Sequence, residues 1–248
     1  MLIALMADLH ANREALAACL EHAERQGAGR LVFLGDVVGY GADPQWATET
    51  VMGLVSRRGA VAVLGNHDEA AVGRGRGGMN AAAEAAAAWT RGRLSPEASS
   101  FLAALPLEVE EEDRLYVHAD ASDPARWHYV VEAEDARRSL EATEAQATFC
   151  GHTHVPRLFG ITAAAKLASF RPVPGVPVPL LWPRQWIAVL GAVGQPRDGD
   201  PAACYGMLDT ARGELTWVRV PYDVETAAEK IRAAGLPESL ALRLRRGR

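Results

Sequence analysis

Apolar runs of strand length recur along the chain, and five of them end on the same kinds of polar residue. Leu2 to Ala7 leads into Asp8 and His10, and Leu31 to Gly35 into Asp36. Ala60 to Leu64 leads into Gly65-Asn66-His67-Asp68, Leu115 to Val117 into His118, and Ala147 to Gly151 into His152 and His154. Short apolar runs bounded by glycine and polar residues read as buried strands. Asn12 to Gln26 sets Leu16, Ala17, Cys19, Leu20 and Ala23 among charges, the pattern of an amphipathic helix with Asn12 as its N-cap and Gly27 as its stop. Pro44 opens a second helix, Gln45 to Arg57, and Gly59 leads into the third strand. A βαβαβ opening predicts a parallel sheet with right-handed crossovers. Ligands of such sheets sit beyond the carboxyl ends of the strands, where Asp8, Asp36 and Asn66 fall. If the segments are extended, the i, i+2 spacing of Asp8 with His10 and of His152 with His154 points each pair one way.

The pattern changes from Glu69 to Leu105, which reads as a helical insertion at about 69–105. A loop, Gly73-Arg74-Gly75-Arg76-Gly77-Gly78, precedes two helices, Asn80 to Arg93 and Ser95 to Leu105, placed over or beside the strand ends. The loop arginines fit either a solvated loop or phosphate contacts. Leu107 to Glu112 and Arg114 to Val117 read as a hairpin, and Glu132 to Ala145 as a charged helix. Ile187 to Val193, Cys204 to Asp209 and Glu214 to Val220, split by Gly/Pro turns, predict an antiparallel second half, followed by a last helix from Val224 to Ala234. Five prolines make Arg171 to Pro183 an irregular surface loop, and Arg243 to Arg248 reads as a frayed basic tail. His22 falls on the polar side of the first helix and reads as solvated. Trp127, His128 and Tyr129 fit either packing or a pocket for a base or an aryl leaving group.

At 248 residues the chain is expected to form one domain spanning 1–248. A formal charge of -5 and a pI near 5.8 give no general pull toward nucleic acid or anionic membrane. Met1 to Ala7 is too short and lacks the basic flank of a leader, so it reads as a strand, and no run approaches a membrane span. Three cysteines, Cys19, Cys150 and Cys204, are widely spaced and odd in number, which argues against a disulfide framework or a Cys-type zinc site. A reducing, cytoplasmic setting is expected.

Aspartate, histidine and asparagine without cysteine form a mixed O/N donor set, suited to Mn, Fe, Zn or Ni more than to Mg or Ca. Asp8, His10, Asp36, Asn66, His118, His152 and His154 are seven candidates, too many for one ion. They fit two divalent transition metal ions sharing one carboxylate, roughly 3.5 to 4 Å apart, which would clamp a bridging hydroxide and substrate oxygens together.

In their order, Asp8-Leu9-His10, Gly35-Asp36, Gly65-Asn66-His67-Asp68, Val117-His118 and Gly151-His152-Thr153-His154 resemble the motif blocks of the calcineurin-like metallophosphoesterases. The resemblance spans about residues 2 to 155. It extends more loosely to Gly194-Gln195-Pro196-Arg197-Asp198-Gly199, similar to a loop in a bacterial and archaeal branch of small phosphodiesterases. It implies a four-layer α/β/β/α sandwich with two central mixed sheets. It also implies that Asp8, His10 and His154 hold one metal, that Asn66, His118 and His152 hold the other, and that Asp36 bridges them. His67, uncoordinated, would then be the general acid, with Asp68 orienting it or capping the following helix. Asn12, Gln195 and Arg197 are candidate substrate contacts. The activity implied is hydrolysis of a phosphodiester or nucleotide-type small substrate by the bridging hydroxide. A phosphoprotein or diadenosine polyphosphate phosphatase is the alternative within the same chemistry. Where the protein phosphatases carry Asp-Arg-Gly and Gly-Asn-His-Glu, this chain has Asp36-Val37-Val38-Gly39-Tyr40 and Gly65-Asn66-His67-Asp68, which weakens the phosphoprotein option. A non-catalytic scaffold of the same fold has no physical need for His67 and seven costly ligands in one place.

Overall fold

The computed structural model describes residues 1–75, 77–162 and 164–248. The first half follows the expected alternation: β1 (Leu2–Met6), α1 (Arg13–Arg25), β2 (Arg30–Leu34), α2 (Pro44–Arg58) and β3 (Val61–Val63). Three helices come next, α3 (Asn66–Ala71), α4 (Ala81–Arg91) and α5 (Pro96–Ala103), where two were expected. The hairpin β4 (Glu108–Glu111) and β5 (Arg114–Val117), α6 (Ala133–Glu141) and β6 (Ala147–Cys150) follow. The remainder is β7 (Arg157–Ile161), β8 (Leu167–Phe170), β9 (Val178–Pro179), β10 (Gln185–Val189), β11 (Ala203–Asp209), β12 (Glu214–Val220), α7 (Val224–Ala233) and α8 (Glu238–Arg246).

Two mixed six-stranded sheets carry the molecule, in the orders β3-β2-β1-β11-β12-β9 and β4-β5-β6-β10-β7-β8. Both faces of their central strands are buried, which explains the near-continuous apolar runs in the sequence. Alternate residues of β1 go opposite ways. Ile3 and Leu5 join Val32, Leu34, Phe149, Trp186 and Trp217 between the sheets, while Met6 faces outward with Phe33 and Tyr205 onto Leu16 and Val51 of α1 and α2. On the far side, Val117, Cys150, Ile187 and Val189 pack on Ala136 and Leu140 of α6. Three apolar layers therefore separate four structural ones, the expected α/β/β/α sandwich.

Several expectations need correction. The second half is not purely antiparallel, because β10 runs parallel to β6 and β5 does too. As a result β10 ends at the same edge as the ligand-bearing strands. Residues 243–248 are no frayed tail. Leu240, Ala241 and Leu244 form a buried stripe on α8 that packs with Ala227, Ala228 and Ile231 of α7, and Gly247 ends the helix in a left-handed turn. His22 is not simply solvated, since its Nδ1 lies 2.8 Å from the Tyr205 hydroxyl across the flank of α1. Within the proline-rich loop, Val178–Pro179 forms a short edge strand on β12.

Candidate metal centre

Every sequence-predicted ligand sits one to four residues beyond the carboxyl end of a parallel strand, β1, β2, β3, β5 or β6. Asp8, His10, Asp36 and His154 bring ligand atoms within 4.8 Å of one another, and Asp36, His118 and His152 do the same, so Asp36 belongs to both groups. Asn66 joins the second group, its Oδ1 3.1 Å from His118 Nε2. The paired residues do not converge through an extended backbone, as the i, i+2 spacing suggested. Asp8, His10, Asp36, His152 and His154 all have positive φ, between 49° and 66°. Left-handed turns, and not a pleat, aim these side chains inward, at a conformational cost that the surrounding structure must hold in place.

Each of the four histidines donates one ring N–H to a backbone carbonyl. His10 Nδ1 bonds Val38 O at 3.2 Å, His118 Nδ1 bonds Leu34 O at 2.8 Å, His152 Nε2 bonds Trp127 O at 2.9 Å and His154 Nδ1 bonds Gln195 O at 2.6 Å. A carbonyl only accepts, so these bonds fix the tautomers and turn the other ring nitrogen of each inward as a lone pair. Those inward nitrogens crowd one another. His10 Nε2 is 3.1 Å from His154 Nε2, and His118 Nε2 is 3.1 Å from His152 Nδ1. Asp36 Oδ2 lies 3.7 Å from His10 Nε2 and 3.4 Å from His118 Nε2, buried and without a hydrogen-bond partner. So many converging acceptors require positive charge among them, and both groups have donors that could hold a metal ion.

The electrostatics show how the metal-free site meets that need. Burial opposes a charge on His118, but the nearby charge of Asp36 outweighs it and raises the imidazole to about 9. Burial likewise opposes ionisation of Asp36, and His118, His67 and His10 together hold its carboxyl well below the usual range. Burial pushes Asp8 up to about 8, His152 down to about 3, and His10 and His154 well below 6.5. His118 is thus held toward its protonated form and Asp8 toward its neutral form.

His67 is buried, its ring 4.3 Å from Tyr40 and edge-on to His10 at 5.0 Å, and its Nδ1 has no partner. Gly39, at φ +93°, makes room for it, because a Cβ there would meet His67 Nδ1 at 2.6 Å. Asp68 does not orient His67. Its oxygens accept from the Val38 and Gly65 backbone N–H groups at 3.0 and 3.1 Å, so it caps α3 and ties that helix to the loop after Asp36. The helix begins at Asn66 itself, one turn earlier than the sequence suggested.

Of the candidate substrate contacts, Asn12 is committed internally. Its Oδ1 caps α1 at Ala15 N, and its Nδ2 donates to Gly194 O at 2.8 Å and to the Tyr222 hydroxyl at 3.2 Å. Gln195 is buried, its Oε1 accepting from Arg197 Nη2 at 3.0 Å, and Arg197 also donates to the Tyr40 hydroxyl and lies over the Tyr40 ring. Arg74 donates to Ala103 O, and Arg76 lies outside the described residues.

Sequence reasoning missed Tyr40, which roofs His10 and His67, and the full part played by Trp127. The Trp127 carbonyl orients His152, its indole donates to Glu69 Oε2 at 3.1 Å, and its ring stands edge-on to His118 at 5.7 Å. Its left-handed φ of 57° was invisible in composition, and only its place in an aromatic triplet hinted at a site role.

A family model described as the calcineurin-like phosphoesterase superfamily domain matches residues 1–213. The chain is 32% identical over 254 residues to an uncharacterised protein of Methanocaldococcus jannaschii, covering 100% of this chain and 98% of that one. Among solved structures, a metallophosphoesterase from Sphaerobacter thermophilus matches with a TM-score of 0.88 at 36% identity, covering 100% of this chain and 99% of the other. A hypothetical protein from Pyrococcus horikoshii OT3 matches with a TM-score of 0.79 at 18% identity, over 100% and 98% of the two chains, a likeness of fold. With five motif blocks folded into one buried Asp/His cluster and a family match over most of its length, the chain belongs to the calcineurin-like phosphoesterase superfamily and is a metal-dependent phosphoester hydrolase.

Proposed function

We propose that the protein hydrolyses a phosphodiester or nucleotide-type small substrate at a dinuclear centre. Asp8, His10 and His154 hold one ion, Asn66, His118 and His152 the other, and Asp36 is shared. The observation that carries this reading is the buried, unpartnered Asp36 Oδ2 between His10 Nε2 and His118 Nε2, in reach of both ligand groups. Mn, Fe, Zn or Ni suits the donors. Bound there, such ions supply Lewis acidity toward phosphoryl oxygens and an activated water.

The chain's own groups do the rest. The four carbonyl-anchored histidines hold their lone pairs in fixed directions, so little reorganisation accompanies phosphate binding. His67 stands beside Asn66, lines the cavity at the cluster and serves as general acid toward the leaving oxygen. Burial pushes its imidazole below 6.5, and the negative charge of a bound phosphate raises it back toward the protonated form. Metal analysis of the purified chain, followed by a panel of phosphomonoesters, diesters, dinucleotides and phosphopeptides with added Mn, tests the reading. Two ions per chain and turnover of diesters or nucleotides above phosphopeptides are expected. One ion at saturation, or activity confined to phosphopeptides, overturns it.

A further inference from the structure

A cavity of about 530 Å³ opens directly off the cluster. Asn66, His67 and His152 form its inner end, Trp127 and Tyr129 one side, and Ala83 and Ala87 of α4 another. Three features describe what fits it. The Tyr129 ring is already stacked on His152, centroids 4.1 Å apart and planes 14° from parallel, yet it remains 51% exposed. It therefore offers the aromatic surface a planar ring stacks upon, beside the metal edge. The α4 side is built from alanines, with Gly73 and Gly75 adjoining, so the space is kept open by small side chains. Among the described residues, the charged groups lining it are acidic or already paired. Arg91 donates to the Ala70 and Ala71 carbonyls, Arg126 pairs with Asp123 at 3.5 Å, and Glu69 and Glu84 contribute carboxylates.

We infer that this cavity is the leaving-group subsite and that it takes an uncharged, nucleoside-sized group carrying a planar heteroaromatic ring, stacked on Tyr129 and facing α4. The inference rests on the phosphoester reading above for its orientation. His67 at the inner end faces the departing oxygen, so the group bonded to that oxygen is the part that extends into the cavity. The volume lies within the range of small-molecule sites and exceeds what a simple alkyl or methyl leaving group fills. Specificity then resides in the alcohol half of the ester, and not in contacts to the phosphate.

The test compares leaving groups of equal chemistry. Adenosine 5′-monophosphate and ribose 5-phosphate, and the methyl diesters of both, followed by release of adenosine or ribose, lose the same type of primary 5′-alkoxide and differ at the anomeric carbon, which carries adenine in one and a hydroxyl in the other. With the metal-loaded full chain, kcat/KM is expected to favour the adenine-bearing member of each reactive pair by about tenfold or more, the scale of base–aromatic stacking. That ratio should fall to within about threefold of one in Tyr129→Ala, which removes the stacking face, and in Ala87→Leu, which fills the space. In parallel, equilibrium dialysis measures adenosine against ribose, neither of which carries phosphate, on the same three proteins. Tighter adenosine binding lost in both variants supports the subsite. A wild-type ratio near one with turnover of both partners overturns the subsite while leaving the phosphoesterase intact. Absence of turnover on every ester with two metals bound overturns the phosphoesterase reading, and the dialysis then decides the cavity alone: equal adenosine and ribose binding refutes it.

Discussion

Loading the centre with metal should expel protons from His118 and Asp8. With His118 at about 9 and Asp8 at about 8, their protonated fractions at pH 7 sum to roughly 1.9, and at pH 8.5 to roughly 1.0. Both protons sit on groups that must present lone pairs to the ions, so both leave. The net charge of the metal-free cluster explains why they are there. Asp36 is ionised against a protonated His118, Asp8 is neutral, and His10, His152 and His154 are neutral, so the buried set carries no net charge. Protons and ions then compete, and the product of the two binding constants should drop by roughly a hundredfold for each pH unit below 7. Calorimetric titration of the metal-free chain with MnCl₂, in buffers of different ionisation enthalpy at one pH, reads the released protons as the slope of observed heat against buffer enthalpy. Asp8→Asn should lower the count at pH 7 by about one. A slope below about 0.5 at pH 7, or a count that does not fall between pH 7 and 8.5, would refute the charge assignment.

Four further outcomes follow from the same geometry. His67→Ala should leave metal content and fold intact and slow turnover by roughly 10² to 10⁴ for a poor leaving group, but far less for a nitrophenolate; equal losses on both would move the acid role elsewhere. Asp36→Asn should deplete both ions where His10→Ala or Asn66→Ala depletes one, as read by mass spectrometry after dialysis, and loss of a single ion in Asp36→Asn contradicts the shared ligand. Metal-free protein should melt at progressively lower temperature as pH rises above about 7.5, beyond the range in which the depressed His10, His67, His152 and His154 gain stability with pH. The raised His118 value stabilises fully below 6.5 and is lost through about 9, and that of Asp8, raised from 3.8, is lost through about 8, so a flat or rising Tm counts against both shifts. Gly194→Ala should destabilise by about 1–3 kcal/mol in chemical denaturation, because a Cβ there would lie 1.9 Å from Leu9 O. A loss below about 0.5 kcal/mol would mean that the two loops slide apart without strain.

The residues of the candidate cluster were legible because their chemistry is written at the ends of apolar runs, and a strand end is a position that sequence pattern locates well. What eluded the pattern was geometry within three or four residues. Nothing in Asp8-Leu9-His10 says that two of its residues are left-handed, since aspartate and histidine are only modestly favoured there. Asp68 looked like a partner for the adjacent His67, but a carboxylate at the third helical position is closer to free backbone N–H groups than to its neighbour's ring. The strands β7 and β8 carry weak signals because β8 is a largely exposed edge, and α8 was hidden by three arginines around a three-residue apolar stripe. Asn12 was legible as a cap, yet its second bond, to Gly194, spans 182 residues and belongs to the tertiary structure alone.

Five non-glycine residues held in left-handed turns also bear on how such a chain drifts over generations. Glycine adopts that backbone without a steric penalty, so replacement of Asp8, His10, Asp36, His152 or His154 by glycine relaxes its loop even as it deletes a ligand. A lineage under selection for stability alone would lose these side chains readily, because thermodynamics favours their loss. Keeping these five side chains therefore carries a standing conformational cost that a glycine at each position would remove.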